Sequence, residues 1–453
     1  MRKLLLPTII LLSSSLTQAV NLEEALTSGY NNHEDLKIIR SDFLNEIEQF
    51  PAAVADFMPK VSAQLNATNT RTKRTGNLAN PLDGTTTDNS NYSRTLIFEQ
   101  PIFNGGSSVA ELKAAQSAFR ASRAKYYASE QDVFFNEIEV YLKTIAALEK
   151  YNISKTSVKS NKTQLEAMKE KFRLGESTET EVASAESGLA TAEANQALSY
   201  ADYEANKANF NKVFALEAES IKMPELAPNL PNSLEEFTDI ALASNPSIAS
   251  AGHNTKAAKA KEYAKKGALL PRVSFKAQNG NTIFDPQGLT AGAVDNHSVT
   301  TTLAVTIPIL EQGGKEYSDV RRAKYQTRKT VVQLDSQVKQ VTADCRATWE
   351  SFNASKTRVS ATAQGVKSAE VAYDGMIQEE KLGSKTIVDV LNFEDRLNNA
   401  RNERVNAQKE LVLASYRIKS LMGELTAEKM KLPVQCFEPD KEFKKIKLRI
   451  VGF

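Results

Sequence analysis

The sequence predicts long antiparallel coiled-coil hairpins forming an α-helical barrel, joined to a transmembrane β-barrel that one chain cannot close. Three observations predict it. The chain repeats itself: Leu22-Glu23-Glu24 returns as Leu234-Glu235-Glu236, and Pro59-Lys60-Val61-Ser62 as Pro271-Arg272-Val273-Ser274, each 212 positions later. Met168, Leu174-Gly175 and Val182 return as Met376, Leu382-Gly383 and Val390, each 208 later. Two ordered copies mean two internal structural repeats. Second, Ser107 to Leu174 holds neither Pro nor Gly, and Lys315 to Leu382 holds no Pro and Gly only at 365 and 375. As one helix, either stretch is about 100 Å long, and long uncapped helices signal coiled coils. Third, each copy carries two alternating strands. Four strands leave edges that lipid does not tolerate, so further copies must supply the missing strands, and three copies would give twelve, within the range of outer-membrane barrels.

The chain begins with an expected signal peptide, residues 1–19. Arg2 and Lys3 form a basic start, Leu4 to Leu12 an apolar stretch, and Thr17-Gln18-Ala19 a small-residue cleavage site. Repeat one then covers 20–230, repeat two 231–432, and a tail 433–453. The chain has 57 basic and 55 acidic residues; without Arg2 and Lys3 the counts are equal. That neutrality excludes a nucleic-acid partner, which needs a basic face. No later apolar run of about 18 residues exists to form a membrane helix. Cys345 and Cys436 are the only cysteines, so no disulfide framework is present, and their pairing is open.

Each repeat is expected to run helix, strand, polar loop, strand, very long helix, turn, long helix. Leu36, Ile39, Phe43, Ile47, Phe50 and Val54 recur at three and four, one apolar helix face. Pro51 lies inside that helix and is expected to kink it, since Pro donates no amide hydrogen; its counterpart Tyr263 carries no such constraint. After Pro59 the period becomes two: Val61, Ala63, Leu65 and Ala67 alternate with polar residues, as do Val273, Phe275 and Ala277. The returning strand is clearest at Val299, Thr301, Leu303, Val305, Ile307 and Ile309; the alternation fits a sandwich core and equally a barrel wall in lipid with water inside. Polar loops are expected from Arg71 to Asn91 and from Asn279 to Asn296.

Pro101 with Gly105-Gly106, and Pro308 with Gly313-Gly314, are read as elbows between strand and helix, Gly permitting the tight backbone and Pro limiting strand pairing. Val338, Val341, Cys345, Thr348, Phe352, Ser355, Val359, Thr362, Val366, Ala369, Tyr373 and Met376 form a heptad seam, on which Cys345 reads as a small core residue. Gly175 and Gly383 mark hairpin tips, followed by helices from about Ser177 to Leu216 and Ser384 to Leu421. Pro224, Pro228 and Pro231 link the repeats. Ile446, Leu448 and Ile450 alternate with basic residues, a short strand or disorder.

No catalytic constellation is present. His33, His253 and His297 are scattered, and no phosphate loop or zinc spacing occurs. Ser122 to Lys125 matches Ser-x-x-Lys inside a coiled-coil stretch, with nothing to form a pocket. An enzyme, a cofactor and a metal site are not expected.

The Pro-x-Val-Ser strand starts after Met58 and Leu270, the Pro-to-Gly-Gly elbows, the Leu-Gly tips, and above all Gly383-Ser384-Lys385-Thr386-Ile387-Val388-Asp389-Val390-Leu391-Asn392 resemble the TolC family of outer-membrane channel proteins. The resemblance covers essentially the whole mature chain except its last twenty residues. It implies a homotrimer in the outer membrane of a Gram-negative bacterium, extending into the periplasm. It also implies an ABC or proton-driven inner-membrane exporter and a periplasmic adaptor as partners, in type I secretion or multidrug efflux. The family's carboxylate ring at the pore aperture maps to Asp389 and Asn392, implying three charges rather than six. Its tip gate links map to Glu181, Glu380 and Lys385. Glu380 stands where the family has an aromatic residue, so Lys385 is expected between two acids, and Lys385→Glu is expected to open the channel. The alternative is an exported structural coiled-coil protein such as an adhesin stalk. Which substrate is carried is not legible here.

Overall fold

The computed structural model describes residues 20–73, 75, 86–218, 220–287, 294–447 and 449. The expected signal peptide, the tips of both strand loops, and Leu448 and Ile450 lie outside the described residues. In chain order the elements are α1 (Leu22–Asn32), α2 (Glu34–Ile47), α3 (Gln49–Ala55), β1 (Lys60–Lys73), β2 (Thr86–Asn104), α4 (Ser107–Arg173), α5 (Glu179–Phe214), α6 (Leu234–Ser244), α7 (Pro246–Gly267), β3 (Arg272–Gln287), β4 (Val294–Thr306), α8 (Lys315–Lys381), α9 (Ile387–Leu421) and α10 (Pro439–Ile446). Each half thus opens with more than one helix where the periodicity suggests one. His33 and Asn245, both in extended conformation, interrupt the apolar runs. The chain divides into two compact units, one of Met1–Ser41, Lys125–Ser247 and Val338–Phe437, the other of Asp42–Ala124, Ile248–Gln337 and Glu438–Phe453.

The second unit holds one antiparallel sheet in the order β1-β2-β3-β4. Its central seam joins the two repeats, with Phe98 opposite Ala277 and Leu96 opposite Asn279. The strands run further into the predicted polar loops than alternation suggests. Arg71 faces Asp88 across β1 and β2, and its guanidinium donates to both carboxylate oxygens at 2.8 and 3.0 Å. Such cross-strand charge pairs support a ladder that hydrophobicity alone does not reveal. All of β1 and nearly all of β4 is exposed, including Val61, Leu65, Val299, Leu303 and Val305. Among the described residues, the outer edges of β1 and β4 have no partner strand.

The two elbows differ. Pro101 lies within β2, where the register slips between Pro101 and Phe103 as a bulge, the ring having no amide hydrogen to give β3. β4 instead ends at Thr306, before Pro308, so Ile307 and Ile309 fall outside the strand. The helix around Pro51 is interrupted at Glu48, which separates α2 from α3, whereas α7, carrying Tyr263, is continuous. That is the effect of a missing donor and a ring against the preceding turn. The tail is helical over α10, not a strand: Phe443 stacks on Phe119 with ring centroids 3.7 Å apart and meets Phe50 edge-on, and Arg123 pairs with Asp440.

The first unit is helical. α4 and α8, whose larger parts belong to it, each run 67 residues, and among the described residues no helix is long and apolar enough to cross a membrane. All twelve residues of the α8 seam are buried or half-buried. Burial raises the Cys345 thiol to about 11, as befits a core residue. The main core gathers Leu26, Tyr30, Phe134, Ile138, Tyr141, Phe210, Phe214 and Leu425. Glu137 is buried beside Gly29, where an added Cβ would lie 2.7 Å from its Oε1. The corresponding places in the second half hold buried Ala241 and Cys345. A bulkier residue on one helix thus accompanies a smaller one on the other.

Candidate functional site

The hairpin tips concentrate the residues singled out in the sequence. Both are built alike. Gly175 and Gly383 adopt φ of 78° and 74°, a region open to glycine. At the first tip Glu176 N–H donates to Lys171 C=O and Gly175 N–H to Phe172 C=O; at the second, Ser384 donates to Glu379 and Gly383 to Glu380. These bonds close α4 and α8 on orphan carbonyls. Three residues after each glycine a threonine caps the returning helix. Thr178 Oγ1 accepts from Glu181 N–H, and Glu181 Oε2 accepts from Thr178 N–H at 2.9 Å. Thr386 and Asp389 repeat this, Asp389 Oδ2 accepting from Thr386 N–H at 3.1 Å and Thr386 Oγ1 at 2.9 Å. The backbone bond is the main reason both carboxyls sit below the usual carboxylate range. The signal for the caps was present in Thr178-x-x-Glu181 and Thr386-x-x-Asp389.

Glu181 and Asp389 are therefore equivalent groups of the two repeats, each folded onto its own helix start. Asn392 is exposed on α9, in line with Asp395, Asn399 and Asn402 along a groove of about 580 Å³ that α4 and α5 complete. Glu380 has a partner within its own chain. Lys171 of α4 donates to its Oε1 at 2.6 Å, joining α4 to α8, and also draws Glu181 downward in pKa. Lys385 is exposed and acts on Asp389. Within the chain, the cation expected between Glu181 and Glu380 is Lys171. It stands outside the quoted motif, which is why the motif did not reveal it.

Behind the tips lies an apolar layer of Leu165, Met168, Ala185, Ile387 and Val390. Next to it, Glu394 of α9 is buried among Ser157, Asn161 and Gln164 of α4 and Tyr373 of α8. Sequence reasoning missed this cluster. Ser157, Asn161 and Gln164 follow helical spacing, but polar residues at that spacing read as a solvated face.

The elbows belong to the other unit. Gly105 and Gly106 lie at φ of 60° and 80°, and Gly313 and Gly314 at 61° and 88°. Gly105 is also pressed against the end of α7: an added Cβ would sit 2.1 Å from Gly267 C=O. Gly313 has open space at that place. Among the described residues no cluster of His, Cys, Asp and Glu could hold a metal ion.

A doubled unit of long helical hairpins and an open four-stranded sheet defines a class of outer-membrane channel proteins, and comparison with known proteins agrees. The family model described as outer membrane efflux protein matches residues 32–213 and 238–424. The chain belongs to the outer membrane efflux protein family and is an outer-membrane protein. It is 28% identical over 279 residues to the outer membrane efflux protein BepC of Brucella suis, covering 62% of this chain and 60% of BepC. It is 34% identical over 126 residues to the outer membrane protein TolC of Escherichia coli, covering 28% of this chain and 25% of TolC. The matched region thus spans less than two thirds of either relative. The crystal structure of the Campylobacter jejuni CmeC outer membrane channel superposes with a TM-score of 0.78 at 17% identity, covering 94% of this chain and 89% of that one. The resemblance to the TolC family read from the motifs agrees with these matches. A fibrous stalk gains no support from them and leaves the paired sheet unexplained.

Proposed function

We propose that three copies of this chain close a twelve-stranded barrel and form a passive exit duct. The duct carries no catalytic centre and no cofactor. It conducts substrates delivered by an inner-membrane transporter through a periplasmic adaptor, in multidrug efflux or type I protein secretion. One observation carries the reading: among the described residues the sheet ends in two unpartnered edges, β1 and β4, whose residues are almost all exposed. Lipid demands that such edges be paired, and identical sisters supply the matching edge. In this reading Asp389 and Asn392 line the narrow end, where three carboxylates attract cations. Asp389→Asn lowers the cation selectivity of the conducting pore, while the same channel without the substitution keeps it.

The internal repeat supplies the register for closure. β2 meets β3 with Phe98 opposite Ala277. The same offset carried around the ring sets Val305 of β4 opposite Leu65 of the next copy's β1, and Leu303 opposite Ala67. In a background lacking Cys345 and Cys436, the pair Leu65→Cys with Val305→Cys gives covalent trimers on oxidation, and Leu65→Cys with Leu303→Cys gives far fewer. Cross-linked dimers without trimers, or monomers after mild extraction, overturn the reading.

A further inference from the structure

Glu394 lies about two turns into α9 and is only 4% exposed. Its Oε1 accepts from Ser157 Oγ at 3.3 Å and Asn161 Nδ2 at 3.1 Å, both on α4. Its Oε2 accepts from Gln164 Nε2 at 3.0 Å, and from Tyr373 OH of α8 at 3.5 Å. Asn398 extends the cluster by donating to Ser157 Oγ at 3.0 Å, and Ser160 bonds Tyr373 OH at 2.9 Å. One carboxylate thus gathers donors from two neighbouring helices. Among the described residues it is paired with no lysine or arginine.

The charged and titratable surroundings are few. α4 presents neutral donors to Glu394, while Lys159 lies on the rim of the adjoining groove and Lys171 is engaged by Glu380. α8 presents Tyr373, with Lys381 on the same rim. α5 presents Ser184, Ser187 and Thr191 nearby, and its acid Glu186 is paired with Lys169. α9 itself adds Asp395, whose charge opposes ionisation of Glu394. A buried carboxylate satisfied only by neutral donors keeps part of its desolvation cost.

We propose that Glu394 is a proton-sensitive latch that ties the start of α9 to α4 and α8 and holds the three helices more tightly in acid than in alkali. Burial raises its pKa, despite the hydrogen bonds from Gln164 and Ser157 that oppose the shift. The packed helices therefore bind the proton better than a loosened arrangement in which water reaches the carboxylate. By linkage, the latch is strongest below the ordinary carboxylate range and weakens as pH rises through the raised value. Between the two, one proton changes the loosening equilibrium by at most about tenfold per pH unit. The cluster can also receive the proton. Gln164 Oε1 is buried and makes no hydrogen bond among the described residues. A half-turn of the Gln164 amide lets that oxygen accept from the protonated carboxyl and from Tyr373 OH without moving a helix.

The inference stands on the helices alone, and its test does not depend on what the protein conducts. Backbone hydrogen exchange of segments 155–165 and 388–400 is measured on the detergent-solubilised full chain at pH 5 and pH 8, corrected for intrinsic chemical exchange. In the natural sequence, protection in both segments falls from pH 5 to pH 8, by no more than about tenfold per pH unit. Glu394→Gln, neutral and of the same shape, keeps acid-level protection at both pH values. Asp395→Asn removes only the smallest contribution to the shift and keeps a fall in protection over the same range. The proposal is overturned if the natural sequence shows no such change, if Glu394→Gln retains it, or if Asp395→Asn removes it.

Discussion

Two acids and a glycine show how far single residues are set by their surroundings. Burial raises Glu130 to about 7, against the opposing charge of Arg40 and a backbone bond from Ala427. With its folded value raised, Glu130 contributes stability that is fully present below the ordinary carboxylate range and is lost as pH rises through about 7. Glu130→Gln should therefore melt like the natural chain at pH 5 and be more stable by roughly 1–3 kcal/mol at pH 8, read from denaturation midpoints. Glu137 shifts in the same direction for the same reason, and has no hydrogen-bond partner among the described residues. Neither acid was legible as buried, because a glutamate on a long helix normally reads as solvated. Gly105 was legible as a turn residue, but not its contact with Gly267, which comes from a distant part of the chain. Gly105→Ala meets both a positive φ and a backbone oxygen 2.1 Å away, whereas Gly106→Ala meets only the positive φ. Gly105→Ala should cost on the order of 2–4 kcal/mol and Gly106→Ala about 1, measured by thermal unfolding of the folded protein.

Among the elements, the long helices and their seam were plain because length, the absence of proline and a heptad stripe are local signals. The connections between helices were not. Lys171 and Glu380 are brought together only when α4 and α8 pack, and their side chains are 31% and 15% exposed. Lys171→Glu places two acids in contact there and should loosen the tips, with a loss of about 1–2 kcal/mol; the exchange Lys171→Glu with Glu380→Lys should recover most of it. Lys385→Glu leaves this pair intact, so its effect should be smaller than that of Lys171→Glu, the reverse of what the motif suggests. Proteolysis at the tips compares all three. The capping threonines offer a separate measure: Thr178→Ala and Thr386→Ala should each cost about 1 kcal/mol of local stability, seen as faster exchange in the first turns of α5 and α9.

Taken whole, the molecule is a duplication whose two halves have diverged in their detail. The repeat was readable from a few dozen residues, and it carried the strand count, the elbows and the tips. It could not say that Pro101 makes a bulge while Pro308 lies beyond its strand, or that Glu137 corresponds to Cys345. Those differences depend on partners from other segments. The same holds for the helix surfaces. Tyr325, Val331, Val332 and Val371 of α8 are exposed in the single chain. Apolar side chains repeated along one helix call for cover, and sister copies provide it in the proposed assembly.

The unpaired borders of β1 and β4 also set a demand on supply. In the proposed trimer, a newly made copy carries two adhesive margins that none of its described residues covers, and it stays exposed to misjoining until two companions arrive. Assembly then depends on encounters, so a cell that makes little of the protein waits disproportionately long for its first finished duct.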